Sequence, residues 1–213
     1  MLFVRVRIIV LSIPVMLLLS QTQSCFGLFE NLFGPESPCL SKKDAISKGG
    51  FLIYDNQEHN VQIQYPSDWT KEDNNGKYTS GDSTLYTLAT FQPDTSDGFK
   101  TTLELEINDL SNYPGDLKSL TGLADFEEEN VLTLPENSII SSRGIQINTC
   151  PAYEIVYLEP IRGKQEPWKS ILTFLIDCDK EYVMRYTATE SDLHDKYLDV
   201  VDNMIQTFQV TKC

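Results

Sequence analysis

The sequence is poor in the residue types on which most enzymes depend. Its 213 residues include two histidines, His59 and His194, and neither belongs to a His-x-x-x-His or other spacing typical of metal ligands. No Gly-x-Ser-x-Gly nucleophile motif, phosphate-binding glycine loop or Cys-x-x-Cys pair is present. We therefore expect a non-enzymatic protein in which both histidines are surface or boundary residues. An unrecognised hydrolase is the weakest alternative.

Basic residues are also scarce. Lys and Arg total 17 against 31 Asp and Glu, which gives a formal net charge of −14 at pH 7. A chain this acidic is repelled by the phosphates of nucleic acids and by anionic lipid head groups. The composition therefore argues against nucleic acid as a partner and leaves basic protein segments and cations.

The longest apolar run lies near the N-terminus. Arg5 and Arg7 precede the run at residues 8–19, and a polar exit of small residues follows at 20–24. This order is typical of an export signal over residues 1–24, and the run is shorter than the ~20 residues that a transmembrane helix needs. An uncleaved N-terminal anchor is the alternative, and it places the domain on the same side of the membrane. We expect an exported protein, either at the extracytoplasmic face of the membrane or secreted.

Cys25 follows the predicted signal directly, at the position where a lipoprotein carries its modified cysteine. Gln23 departs from the usual small and aliphatic pattern, so lipidation of Cys25 and a free Cys25 both stay open. Residues 25–50 mix Gly, Pro, Ser and Lys with aromatic residues and indicate a tether, before a domain at 51–213. Removing the signal, with its two arginines and no acidic residue, changes the formal charge from −14 to −16.

Two segments alternate apolar and polar residues in the way typical of half-buried strands. Residues 61–65 alternate Val, Ile and Tyr with two Gln, and Pro66 then ends the strand because it has no N–H to donate. Residues 101–107 place three aliphatic side chains on one face. We expect Glu104 and Glu106, on the opposite face, to be exposed to solvent or to a partner.

The remaining patterns predict further strands and two helices. Residues 70–81, rich in Lys, Asp, Asn and Gly, indicate a surface loop. Helical spacing of apolar residues recurs over 117–124 and 193–208, with Ser191 as the expected cap of the last helix. Five strands are predicted at 83–91, 139–147, 152–158, 169–176 and 182–189. Together these elements indicate an α+β domain with a central antiparallel sheet and helices packed on it.

The first predicted helix ends in a group of carboxylates, Asp125, Glu127, Glu128 and Glu129. Carboxylate oxygens are ligands of Ca²⁺, so these four residues are candidates for a metal site. Neighbouring side chains on a helix point in different directions, however, and the ligand pattern of an EF-hand loop is absent. Solvated surface is therefore the favoured interpretation.

Several segments resemble the PsbP-like family, whose founder is the extrinsic subunit of photosystem II. They occur in order through most of the chain after the predicted signal: 51–54, the strand with Tyr-Pro-Ser-Asp-Trp at 60–69, Cys-Pro-Ala-Tyr-Glu-Ile-Val-Tyr at 150–157, 181–188 and 196–208. The resemblance implies an α/β/α sandwich and a non-enzymatic binding or assembly module that acts on a membrane-associated protein complex. It also implies that divalent ions are possible ligands, without locating a site.

The cysteines permit disulfides if the protein is exported. If a hairpin turns near residue 164, the numbers of facing residues sum to 328, and Cys150 then faces Cys178. Facing residues of an antiparallel pair have Cα atoms about 4.5–5.5 Å apart, a distance that a disulfide can span. Cys39 and Cys213 are then left to pair with each other, or they stay free because chain ends are often mobile. Cys25 is the odd cysteine, available for lipid.

Three classes of function follow from these observations. The first is a non-enzymatic extracytoplasmic module, monomeric and tethered peripherally to the membrane through its N-terminus, that binds a protein complex. The second is an accessory protein that binds divalent cations such as Ca²⁺ through its acidic surface, with no other cofactor. The third is the unrecognised hydrolase.

Overall fold

The computed structural model describes residues 50–80, 83–94, 101–134, 136–160, 167–188 and 191–212, which lie in one compact unit that spans residues 38–213. The described elements are ten strands, two α-helices and one short 3₁₀ turn. In chain order they are β1 (Phe51–Asn56), β2 (Val61–Pro66), β3 (Trp69–Ser80), β4 (Ser83–Pro93), β5 (Thr102–Asp109), the 3₁₀ turn (Gly115–Lys118), α1 (Leu120–Leu132), β6 (Ser138–Ile147), β7 (Cys150–Glu159), β8 (Trp168–Asp177), β9 (Lys180–Ala188), α2 (Ser191–Gln206) and β10 (Gln209–Val210).

Seven strands form one antiparallel sheet in the order β3-β4-β5-β9-β8-β7-β6. The last four strands are consecutive in sequence and form an antiparallel meander, whose end strand β9 pairs with β5. Strand β8 is buried from Ser170 to Leu175 on both of its faces. This burial agrees with its sequence, in which Ile171, Leu172, Phe174 and Leu175 place apolar side chains on both faces, as in strands that are covered on both sides.

The segment 61–65 forms the centre of a separate three-stranded sheet, in the order β1-β2-β10. Its alternation is explained by packing, since Val61, Ile63 and Tyr65 are buried in the core shared with the large sheet. Tyr65 lies 5.0 Å from the ring of Phe91 on β4, measured between centroids. Strand β2 therefore joins the small sheet to the large one.

The prediction of a surface loop at 70–81 is wrong, because residues 70–80 form most of β3. The strand lies at one end of the large sheet and pairs only with β4 among the described strands. Its register shifts between Asp73 and Gly76. Polar, charged and bulged sequences are typical of such edge strands, which is why composition alone indicated a loop.

The two helices cover opposite faces of the large sheet. On β9, Tyr182 and Met184 belong to the core cluster that contains α2 residues, whereas Val183 belongs to the cluster that contains α1 residues. Successive side chains of a strand point to opposite faces, so the helices lie on opposite sides of the sheet. The predicted α+β fold, with an antiparallel sheet between helices, is confirmed.

Two local predictions need correction. Helix α1 begins at Leu120 after the N-cap Ser119, whose Oγ accepts a hydrogen bond from the N–H of Gly122, so its first turn starts later than the apolar spacing suggested. In the hairpin of β7 and β8, Ala152 faces Leu175, so the numbers of facing residues sum to 327 and not to 328. The midpoint of the pairing therefore lies half a residue earlier in the sequence than predicted.

Candidate functional site: carboxylates between helix α1 and the sheet

Five polar residues of β5 and β9 lie on the face of the large sheet that α1 covers. Leu103, Leu105 and Ile107 fill the other face, so the alternate residues Glu104, Glu106 and Asn108 point toward α1. The ladder places Glu104 opposite Arg185 and Asn108 opposite Glu181. The sequence thus builds a polar patch into the same face that Val183 and other apolar residues line beneath α1.

Glu181 is the most deeply buried carboxyl of this cluster, with 2% of its surface exposed. Its Oε2 accepts a hydrogen bond of 3.3 Å from Nδ2 of Asn108, while Oε1 has no hydrogen-bond partner among the described residues. Burial, and next the charge of Glu127, raise the pKa of Glu181 to about 8. The side chain therefore carries a proton at neutral pH, because an uncompensated charge is costly in the interior.

Glu127 enters the same cluster from α1. It lies four residues after Leu123 and four before Val131, so it belongs to the side of the helix that is buried against the sheet. Burial raises the pKa of Glu127, and the nearby charge of Arg185 opposes this shift. Its Oε1 also accepts a 3.4 Å hydrogen bond from Nδ2 of Asn130. A carboxyl group thus occupies a position at which an amphipathic helix ordinarily has an apolar residue.

Arg185 is the cation of the cluster. Its Nη2 lies 3.7 Å from Oε2 of Glu106, and its Nη1 donates a 3.1 Å hydrogen bond to the hydroxyl of Tyr157. Burial, and next the charge of Glu106, raise the pKa of Glu104. One guanidinium therefore faces four carboxyl groups, and such an arrangement can retain protons and attract cationic groups.

The structure does not bring the four candidate metal ligands together. Glu127 faces the sheet, and Glu128 accepts hydrogen bonds from Ser142 and from Tyr153, the latter at 3.3 Å. Asp125 and Glu129 are exposed. Across the described parts of the chain, no group of three or more His, Cys, Asp or Glu side chains is arranged to hold a metal ion. Their separation follows from helix geometry, which turns successive side chains by about 100°.

The prediction that Glu104 and Glu106 face solvent or a partner needs correction. Both residues are partly buried, with 13% of the Glu106 side chain exposed, because α1 packs over part of this face and Arg185 lies beside them. Glu181 and Arg185 were not among the residues predicted from the sequence. Alternation over 181–187 does place these two residues on one side, opposite Tyr182 and Tyr186, and this pattern was the available signal.

The remaining candidate residues lie elsewhere. Cys150 begins β7, and Cys178 lies in the two-residue turn between β8 and β9, at the same end of the sheet. Cys25, Cys39 and Cys213 lie outside the described residues, as does the predicted signal. No helix in the described ranges is both long and apolar enough to cross a membrane.

His59 packs against the ring of Tyr86 with 4.8 Å between centroids, and burial lowers its pKa. The side chain of His194 lies outside the described part of α2. The structure thus places His59 at a boundary between surface and core, as predicted for both histidines.

The fold of this chain is similar to that of solved structures. Cyanobacterial PsbP from Synechocystis matches with a TM-score of 0.56 and 17% identity, over 83% of this chain and 99% of that chain. LpqN of Mycobacterium tuberculosis, described as involved in cell envelope biogenesis, matches with a TM-score of 0.49 and 10% identity, over 76% and 91%. At these identities the first likeness shows the shared fold alone. No curated protein sequence matches the chain.

The sequence itself gives the family. A family model described as PsbP-like protein matches residues 7–210, which is nearly the whole chain. The protein therefore belongs to the PsbP-like family, and the family suggested by the motifs is confirmed.

Proposed function

We propose that the protein is a non-enzymatic binding module that acts on a membrane-associated protein complex at the extracytoplasmic face of the membrane. Membership of the PsbP-like family over residues 7–210 is the observation that carries this proposal. The N-terminal segment acts as a peripheral tether, through Cys25 or through an uncleaved signal, and the domain works as a monomer. The partner presents a basic segment, since a formal charge of −14 repels acidic surfaces.

Crosslinking in intact membranes tests this function. We expect the tagged full-length chain to be joined to a membrane protein by a crosslinker that does not cross the membrane, and to resist proteases added from the cytoplasmic side. The yield should fall as salt rises from about 0.1 M to 1 M, because the Debye length shrinks from about 10 Å to about 3 Å. An exported acidic protein of unrelated fold is the control. A cytoplasmic chain, or crosslinks no different from those of the control, would contradict the proposal.

A second candidate is a divalent-cation-binding accessory protein that uses its acidic surface. The observation in its favour is the excess of 31 Asp and Glu over 17 Lys and Arg, since carboxylate oxygens are ligands of Ca²⁺. A ligand that binds only the folded state raises the melting temperature by mass action. A melting series with Ca²⁺, Mn²⁺ and Zn²⁺ therefore tests this function.

Two variants locate any shift in that series. A shift that Glu181→Gln removes supports an ion site in the cluster. A shift that instead disappears when Glu128 and Glu129 are both changed to Gln points to the outer side of α1. No shift with any ion contradicts the second candidate and leaves the protein partner. Reproducible hydrolysis of a generic ester or phosphate substrate by the pure protein would contradict both candidates.

A further inference from the structure

The two edges of the seven-stranded sheet are protected unequally. At one edge, β3 carries charged residues at Lys71, Glu72, Asp73 and Lys77, together with a register shift. At the other edge, β6 pairs with β7 and has no second neighbour among the described strands. Proteins ordinarily protect open edges with charges, bulges or covering segments, because an unpaired strand edge is a template for another strand. Of the two edges, that of β6 is therefore the one more open to pairing with a partner strand.

Strand β6 has a regular run in which a partner strand can pair. Its register shift lies between Ile139 and Ser141, so the ladder from Ser141 to Ile147 is uninterrupted. The hairpin closes at Ile147 and Cys150, and alternation therefore directs the N–H and C=O groups of Ser142, Gly144 and Gln146 away from β7. In agreement, the carbonyl of Gln146 accepts a 3.1 Å hydrogen bond from the side chain of Gln206.

Gly144 leaves open space above one face of the sheet beside this edge. A Cβ atom added to Gly144 would meet no atom within 4 Å. Large apolar side chains are exposed just before and within the start of the strand, each with 54% of its surface accessible: Leu132, Leu134 and Ile140. An apolar patch beside an open edge is typical of an interaction site.

Charges around β6 define the chemistry of the partner. Arg143, the one charged residue of β6, forms a 2.8 Å ion pair with Glu154. On the α2 side, burial raises the pKa of Asp202, and the nearby charge of Glu154 raises it further. On the α1 side, Glu128 bonds to Ser142 of β6. Carboxylates therefore flank the edge on both faces of the sheet.

We propose that the outer edge of β6 binds an extended, basic segment of a partner protein as an added antiparallel or parallel strand. The partner's backbone pairs with the outward groups of Ser142 and Gly144 and with the N–H of Gln146, and its Lys or Arg side chains meet the flanking carboxylates. An apolar residue at one end contacts Ile140. A second copy of this chain fits poorly, because two chains with a formal charge of −14 repel each other. The proposal deepens the proposed function, on which it rests, by naming the surface.

Synthetic peptides test the edge directly on the full-length chain. The probe is a peptide of about ten residues that alternates lysine with valine, and amide hydrogen exchange is read by NMR. We expect the amides of Ser142, Gly144 and Gln146 to exchange at least tenfold more slowly with this peptide. A lysine–proline peptide of equal charge, which lacks half of the backbone donors, and a glutamate–valine peptide should give no such protection.

Matched variants separate the two edges. Gly144→Lys adds a charge where space is open, whereas Gly76→Lys makes the same change at the edge strand β3, where the nearest atom lies at an ordinary 3.8 Å. We expect Gly144→Lys to weaken binding of the lysine–valine peptide at least tenfold and Gly76→Lys to change it less than twofold. Gly144→Pro, which removes one outward N–H, should act like Gly144→Lys.

Several outcomes would overturn the inference. The first is equal peptide affinity for the wild type and both Gly144 variants, and the second is protection centred on β3. The third is protection of the β6 amides that grows with protein concentration alone. The fourth is slow exchange of the β6 amides without peptide. The third result would identify a second copy as the occupant, and the fourth another segment of this chain. If membrane crosslinking succeeds while Gly144→Lys has no effect on it, the edge proposal alone fails. If the peptide binds β6 but no membrane partner is found, the proposed function alone fails.

Discussion

Asn108 on β5 donates a 3.3 Å hydrogen bond to Oε2 of Glu181 on β9, while the other oxygen of that carboxyl has no partner among the described residues. This half-satisfied, buried group lies beneath α1 in a cluster that also contains Glu127 and Arg185. A buried polar group that lacks partners costs stability, more so when it is charged. The relationship makes the pH dependence of folding the most direct test of the cluster.

We predict that the free energy of unfolding falls as pH rises from about 5 to about 8. The folded protein keeps the Glu181 proton up to a pKa of about 8, whereas the unfolded chain releases it near 4.5. The native state therefore binds more protons in this interval, so the stabilising contribution is complete below 4.5 and is lost as pH rises through 8. The slope should reach at most about 1.4 kcal/mol per pH unit for one proton.

Urea unfolding at a series of pH values measures this slope. Glu181→Gln, which cannot ionise, should flatten the profile and exceed the wild type in stability at pH 8. Glu129→Gln, at an exposed position of α1, is the matched control and should keep the slope of the wild type. An unchanged slope in Glu181→Gln would contradict the assignment.

Glu127→Gln should lower the pKa of Glu181 without returning it to 4.5. Burial is the largest cause of the raised pKa and persists in the variant, while the charge of Glu127, the second cause, is removed. An NMR titration of the Glu181 carboxyl carbon measures the change. A pKa of Glu181 equal to that of the wild type would show that the two carboxyl groups do not interact.

Phe91→Ala should destabilise the protein by about 3–5 kcal/mol, since Phe91 is fully buried. Its ring contacts Tyr54 at 5.8 Å and Tyr65 at 5.0 Å, both on the small sheet, so the variant loses contacts between the two sheets. Tyr78→Ala is the control, because Tyr78 is 67% exposed, and its effect should stay within about 0.5 kcal/mol. Chemical denaturation measures both, and similar effects would contradict the packing of the sheets.

We propose that Cys150 and Cys178 form a disulfide. It closes a loop of roughly 29 residues, so Cys150→Ser should cost about 3 kcal/mol in the oxidised protein and far less after reduction. Peptide mapping without reductant identifies the pair. Cys150 joined to Cys39 or to Cys213 would refute it. With facing numbers that sum to 327, Cys150 faces Asp177 and is offset by one residue from Cys178, so the mapping tests whether the pair still forms.

We also predict that the mature protein lacks residues 1–24. N-terminal sequencing should find a chain that begins at or near Cys25, and mass spectrometry then shows whether that cysteine carries acyl groups. Cys25→Ser should release the protein from the membrane if the lipid is its anchor. A cytoplasmic protein that retains Met1 would contradict export.

The sequence by itself determined the elements whose patterns reflect local burial. Leu103, Leu105 and Ile107 repeat every second residue, and Val201, Met204 and Ile205 recur at helical spacing, because each element must bury one side. These patterns gave the α+β fold, and the ordered motifs gave the family.

Only the tertiary structure decided which strands are neighbours and what each polar face meets. The polar sequence of β3 resembles a loop, and its strand conformation depends on pairing with β4. Asn108 and Glu181 are 73 residues apart, and they meet because β5 pairs with β9. Glu127 joins them because α1 folds onto that face of the sheet. Long-range pairing leaves little trace in local periodicity, which records how deeply a side chain is buried and not which residue it contacts.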